Sequence, residues 1–121
     1  MWSVLSKHKL SRRVTRLLID SRNELWISPV SCWEIMLLDR KGRLRLPSPA
    51  HSWLAEALKT GPFREASLTN EVALAVAEVT LPHSDPADSL LAATARVYGL
   101  TLVTSDHELL RGTGFNALEN E

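Results

Sequence analysis

The chain has 121 residues, 45% of them hydrophobic, with 14 Lys plus Arg against 14 Asp plus Glu and one cysteine. That length suits a single domain with a real core, and the balanced charge excludes a protein-wide basic field for nucleic acid, so any such contact must be local. The lone Cys32 excludes an internal disulfide or a Cys-rich zinc site. With no apolar run near the ~20 residues of a membrane span and no signal-peptide core, a cytoplasmic protein with no membrane partner is expected.

After a short opening segment, residues 10–20 place Leu10, Val14, Leu17 and Leu18 at helical spacing with basic residues opposite, which predicts an amphipathic surface helix. Ser21-Arg22-Asn23 breaks it, and residues 24–28 read as a short buried strand. Ser28 and Pro29 supply an N-cap and a first helical position for a helix from Val30 to about Lys41, stopped by Gly42. Glu34 lies near its beginning, flanked one turn away by Val30, Leu37 and Leu38, so its carboxylate borders the apolar face. A proline-closed connection over 43–49 leads to an amphipathic helix over 50–59, through Trp53, Leu54, Ala57 and Leu58, which Gly61-Pro62 ends. Residues 63–68 read as an edge strand, and Thr69 or Asn70 caps a mostly apolar helix over 71–79.

The strongest local signals come next. Asp85 is a good N-cap, Pro86 a good first helical residue, and Gly99 falls where a C-terminal left-handed residue belongs. Helical steps from Asp88 reach Leu91, Ala92, Ala95 and then Tyr98 or Gly99, so this carboxylate shares a stripe with small apolar residues suited to close packing on a sheet. A strand over 101–103 follows almost at once, Asp106 sits just past its end, and a short helix over 107–111 and a last strand around 115–118 complete the chain. Alternating short strands and helices predict a three-layer α/β domain with a mainly parallel sheet. A βαβ unit would bring Asp88 and Asp106 to one rim, the edge where open parallel sheets hold ligands. Two carboxylates there suggest a metal. The chain begins, however, in what reads as the tail of a helix that would follow an opening strand, so the sheet is expected to lack its first strand.

With these residues in hand, the chain resembles the PIN-domain ribonucleases, specifically the VapC-type toxins of bacterial toxin-antitoxin pairs. The resemblance rests on Ile27-Ser28-Pro29-Val30-Ser31-Cys32-Trp33-Glu34-Ile35, Lys41-Gly42-Arg43-Leu44-Arg45-Leu46-Pro47, the run from Leu81-Pro82-His83-Ser84-Asp85-Pro86-Ala87-Asp88 through Ala95, and Leu102-Val103-Thr104-Ser105-Asp106. Four motifs in register over nearly the whole chain are a specific signal. The resemblance implies a Mg²⁺- or Mn²⁺-dependent endoribonuclease, with Glu34, Asp88 and Asp106 as metal ligands and Thr104 and Asp85 supporting them, Asp85 mainly shaping the helix start. It also implies RNA as substrate, a cognate antitoxin that blocks the site, and a toxin homodimer. The family's opening strand ends in a further ligand, an Asp followed by Thr or Ser. Here the first residues align just after it, and neither Asp20 nor Asp39, each near a helix end, can substitute. The expected domain, over residues 1–121, is therefore N-terminally incomplete, and the alternative reading is a truncated or degenerate PIN-fold protein that binds an antitoxin or other partner without cleaving RNA.

Phosphodiester hydrolysis at neutral pH needs an activated water and neutralised phosphoryl oxygens, which carboxylate-held divalent ions supply. Mg²⁺ takes oxygen ligands, so converging Asp and Glu side chains suit it. Each residue also has a structural explanation: Ser105-Asp106-His107-Glu108 reads as a capping box, Asp88 stands where an acid serves a helix start, and Glu34 alone is an ordinary helix residue. Their joint placement at strand ends favours a site. The four histidines lack ligand spacing. Arg12, Arg13 and Arg16, or Arg40, Lys41, Arg43 and Arg45, suit RNA phosphates and solvated surface equally. Trp26, Trp33 and Trp53 read as packing, Cys32 as a small buried side chain. An α/β module binding a ligand without metal is disfavoured, because no Gly-rich phosphate loop occurs.

Overall fold

The computed structural model describes residues 2–4, 24–42, 49–82, 85–104 and 106–119. The expected helix over 10–20 and the connection over 43–48 lie outside these residues, as do His83, Ser84 and Ser105. Five strands form one sheet: β1 (Trp2–Val4), β2 (Leu25–Ile27), β3 (Phe63–Glu65), β4 (Thr101–Thr104) and β5 (Asn116–Glu119). Their order is β3-β2-β1-β4-β5 and every pairing is parallel. The helices are α1 (Pro29–Arg40), α2 (Ala50–Thr60), α3 (Asn70–Ala75), α4 (Pro86–Tyr98) and α5 (His107–Leu110), with a 3₁₀ turn, Val76–Glu78, closing α3. Among the described residues no helix is long and apolar enough to cross a membrane.

The α/β class with a parallel sheet is as expected, but the missing first strand is not. Trp2–Val4 occupies the centre of the sheet, with Trp2 opposite Leu25 on one side and Thr101 on the other. A central gap would leave the facing N–H and C=O groups of β2 and β4 without partners, and three residues suffice to pair them. The strand brings no acidic side chain to the sheet, since its residues are Trp2, Ser3 and Val4.

Local signals govern most boundaries. Ser28 caps α1 through a hydrogen bond from the Val30 N–H to its Oγ at 3.0 Å, and Gly42 takes a positive φ of 68° just beyond the helix. Thr69, rather than Asn70, caps α3, accepting from the Val72 N–H. At α4 the Asp85 Oδ1 accepts from the Ala87 N–H at 2.9 Å, Pro86 opens the helix, and Gly99 closes it at φ 64°. The edge strand β3 is shorter than expected, and the last strand ends one residue later.

The core lies between α4 and the sheet. Leu91, Ala92 and Ala95 of α4 cluster with Leu100 and Leu102, Val30 of α1, Ala66 and Leu109 of α5, all buried. The small side chains let the helix approach the strands closely, as the stripe below Asp88 predicts. On the other side of α4, Ala93 packs with Val72 and Ala75 of α3. Leu102, Val103 and Thr104 are buried in succession, as a parallel strand covered on both faces requires. Trp26 packs at the edge of this core, its ring 5.6 Å from that of Tyr98 and 5.9 Å from the Arg64 guanidinium. The packing role expected of the other two tryptophans does not hold: Trp33 is 55% exposed and Trp53 38%.

Candidate functional site

In a parallel sheet every strand ends at the same rim, and a helix that follows a strand starts there. The rim thus receives the beginning of α1 after β2, the beginning of α4 before it descends to β4, and the segment from β4 to α5. Cα–Cβ bonds in a helix tilt toward its N-terminus, so side chains of the first turns lean toward this rim. The elements that carry Glu34 in α1, Asp88 in the first turn of α4, and Asp106 after β4 all reach it. Thr104, the last residue of β4, joins them.

The three carboxylates are held differently. Asp88 is buried, 5% exposed, above Leu91, Ala92 and Ala95. Its own backbone N–H is covered by Asp85, whose Oδ1 lies 3.4 Å away, so its carboxylate is not the cap of α4. Asp106 is half-buried and fixed at both ends: its N–H donates to Thr104 Oγ1 at 3.0 Å, and its Oδ1 accepts from the Glu108 N–H at 2.9 Å. The cap of α5 is thus Asp106 itself, one residue later than the expected capping box. Glu34 is half-buried on α1. Asp85 is exposed and spends its Oδ1 on the helix start, the role expected of it. Asp39 is exposed at the far end of α1, away from the rim, and Asp20 lies outside the described residues.

These side chains suit a hard cation in kind, because all are oxygen donors. Among the described residues no three His, Cys, Asp or Glu side chains form a group able to hold a metal ion by themselves. Mg²⁺ does not demand one: it keeps several waters and is commonly bound through one or two carboxylates together with substrate phosphates. The carboxylates at the rim match Mg²⁺ in donor type and not as a gathered three-ligand group.

Two further hydroxyls lie at the start of α1, that of Ser28, the N-cap expected from the sequence, and that of Ser31, which sequence reasoning did not single out. Ser28 is buried and committed to its cap, and Ser31, 3% exposed, lies in the first turn of α1. The available signal is that Ser31 precedes Glu34 by three residues and so shares its helix face. Cys32, expected to be buried, is half-buried and lines a cleft with Ile27, Pro29, Leu58, Phe63 and Glu65. Burial raises its thiol pKa above the ordinary value, and the negative charge of Glu65 adds to the effect, so it is a poor nucleophile at neutral pH.

The comparisons with known proteins bear on family and fold. The family described as PIN domain matches residues 1–114. Ribonuclease VapC22 of Mycobacterium tuberculosis is 33% identical over 111 residues, which span 89% of this chain and 82% of that protein. The crystal structure of VapBC2 from Rickettsia felis, bound to a DNA fragment from their promoter, superposes with a TM-score of 0.70 over the whole of both chains. At 15% identity, that likeness speaks for the fold alone. The chain belongs to the PIN-domain family and, within it, to the VapC type.

Proposed function

We propose that this chain is a metal-dependent endoribonuclease toxin, acting on RNA and held in check by a cognate antitoxin. The observation that carries the reading is the buried carboxylate of Asp88 at the ligand-binding rim, on a helix whose capping is already done by Asp85. The similarity to Ribonuclease VapC22 supports the substrate class, and membership of the VapC type supports an antitoxin partner. A homodimer is proposed on the resemblance alone. Glu34, Asp88 and Asp106 are the residues that would hold Mg²⁺ or Mn²⁺. When bound, the ion supplies a water of lowered pKa and neutralises charge on the phosphoryl oxygens. The chain's own part is to keep the carboxylates in place. The packed stripe of α4 fixes Asp88, the cap of α5 and the bond to Thr104 fix Asp106, and α1 presents Glu34.

A second reading is a PIN-fold protein that binds its partner without cleaving RNA. It is favoured by β1, which fills the centre of the sheet and brings no carboxylate to the rim. The deciding experiment is cleavage of RNA by the purified chain with and without Mg²⁺ or Mn²⁺, beside Asp88→Asn. That substitution keeps the volume and removes the charge. Metal-dependent cleavage that disappears in folded Asp88→Asn establishes the first reading. Absence of cleavage in the wild type, with partner binding retained, establishes the second.

A further inference from the structure

The helix α3 and the 3₁₀ turn that closes it, residues 70–78, are apolar on every side apart from Asn70, Glu71 and Glu78. Val72 and Ala75 face inward and pack with Ala93 of α4. Leu74 is 77% exposed, and among the described residues no large hydrophobic side chain is more so. Ala73 and Ala77 beside it are exposed as well. A single exposed leucine is ordinary on a protein surface, but a helix that is apolar all round is normally covered on both faces. Leu74 also borders a depression of about 490 Å³ between α3 and α4, with Ala75 and Val97 in its lining. The charges of that lining divide by side: Glu71 and Glu78 come from α3 and its closing turn, Arg96 from α4.

We infer that this face of α3 and α4 is where a second copy of the chain docks about a two-fold axis. The division of charge selects that occupant. An axis through the depression lays the α3 side of each copy over the α4 side of the other, as a self-complementary contact requires. Each Leu74 then enters the other copy's depression beside Ala75 and Val97, and each Glu71 meets the other's Arg96. Arg96 is fixed in place by Glu78 Oε2 at 2.7 Å and the Gly114 carbonyl at 2.8 Å, and a guanidinium carries more N–H donors than those bonds use. A partner of one charge sign would leave one side of the depression unmatched. This docking rests on the homodimer of the reading above and not on its metal site.

The test is sedimentation equilibrium of the wild-type chain, Leu74→Glu and, as a control on α1, Trp33→Glu, which replaces another exposed apolar side chain. Leu74→Glu is expected to keep the wild-type circular dichroism, because the side chain it replaces lies in solvent within one copy. It is expected to raise the dimer dissociation constant at least about a hundredfold, since the two-fold axis enters the substitution twice at the centre of the contact. Trp33→Glu is expected to associate like the wild type. A wild-type dimer that Leu74→Glu leaves intact, or that both variants weaken equally, overturns this surface while the homodimer stands. Loss of the wild-type circular dichroism in Leu74→Glu also overturns it, by showing that Leu74 serves the fold. A wild type that stays monomeric overturns the homodimer and this surface together, and leaves the face to a different partner.

Discussion

Two glycines with left-handed backbones give a controlled test of how rigidly the base of α4 is held. Gly99 ends α4 at φ 64°, and a Cβ added there would meet nothing within 4 Å. Gly114 sits at φ 95°, where a Cβ would lie 2.4 Å from the Glu78 carbonyl oxygen and 3.1 Å from the Val79 Cα. That backbone is pinned. Thr80 and Thr113 exchange hydrogen bonds of 3.0 and 2.9 Å, while Arg96 reaches both Glu78 Oε2 at 2.7 Å and the Gly114 carbonyl at 2.8 Å. Placing Ala in a left-handed conformation costs about 1–2 kcal/mol, offset by about 0.4–1 kcal/mol because Ala restricts the unfolded chain. Gly99→Ala should therefore destabilise by about 1 kcal/mol. Gly114→Ala carries the same conformational cost plus overlap with backbone that has no room to shift, typically about 1–3 kcal/mol, for a total of about 3 kcal/mol. Against a total stability of about 5–15 kcal/mol, that difference is easily read from urea midpoints at unchanged slope. Equal losses in the two variants would refute the reasoning, because they would mean that residues 78–80 yield freely.

Asp106→Asn and Asp106→Ala separate the two parts played by that residue. Asn caps a helix about as well as Asp, whereas Ala costs about 1 kcal/mol, so urea unfolding should show a loss only for Ala while Mn²⁺ binding weakens in both. Asp85→Ala should cost about 1 kcal/mol by loss of the bond to the Ala87 N–H, with the Mn²⁺ response unchanged, since Asp85 serves the helix and not the site. Leu91→Ala, in the middle of the core, should cost about 2–5 kcal/mol in the same unfolding assay. For Cys32 the folded thiol pKa lies above its ordinary value of 9.0, so the folded state keeps a proton that the unfolded state gives up. Its contribution is fully present below that value and is lost as pH rises through the folded pKa. Alkylation near pH 8 should accordingly be slower than for a free thiol, and Glu65→Gln should speed it by removing the charge that helps to raise the pKa.

The parts of this fold that can be read from the chain are those whose cause is local. Asp85, Pro86 and Gly99 bracket α4 because capping, fixed φ and a left-handed end are each decided within a turn, and Ser28-Pro29 does the same for α1. The rim follows from topology once the strands are parallel, so the starts of α1 and α4 and the segment after β4, which carry Glu34, Asp88 and Asp106, could be assigned to it, while among the described residues no three such side chains gather into a metal-holding group. The remainder depends on contacts distant in sequence. Trp2–Val4 has too few residues to show any period, and it becomes a strand because Leu25 and Thr101 lie on either side of it. Trp33 and Trp53 fall on apolar spacings, but whether such a face is covered depends on what lies across from it, which spacing does not encode. Ser31 escaped attention because a serine near a helix start is ordinary, and its spacing does not show that the fold buries it.

Acidic residues at a helix start have a structural use, since they satisfy the first N–H groups and complement the helix dipole. A rim that collects helix starts therefore gathers carboxylates whether or not it binds anything. What singles out Asp88 is the division of labour in α4. Asp85 already caps the helix from an exposed position, where a carboxylate loses little hydration. Asp88 is not the N-cap, and it is 5% exposed, where a carboxylate needs polar partners to offset its lost hydration. Complementing the dipole would be served as well by a solvated side chain one position away. An acid placed under cover beside Leu91, Ala92 and Ala95 has its carboxylate held at a fixed point, a property that the proposed cation site would use. Of the three carboxylates proposed as ligands, Asp88 is therefore the most firmly placed, and its isosteric neutral variant is the most informative one to make.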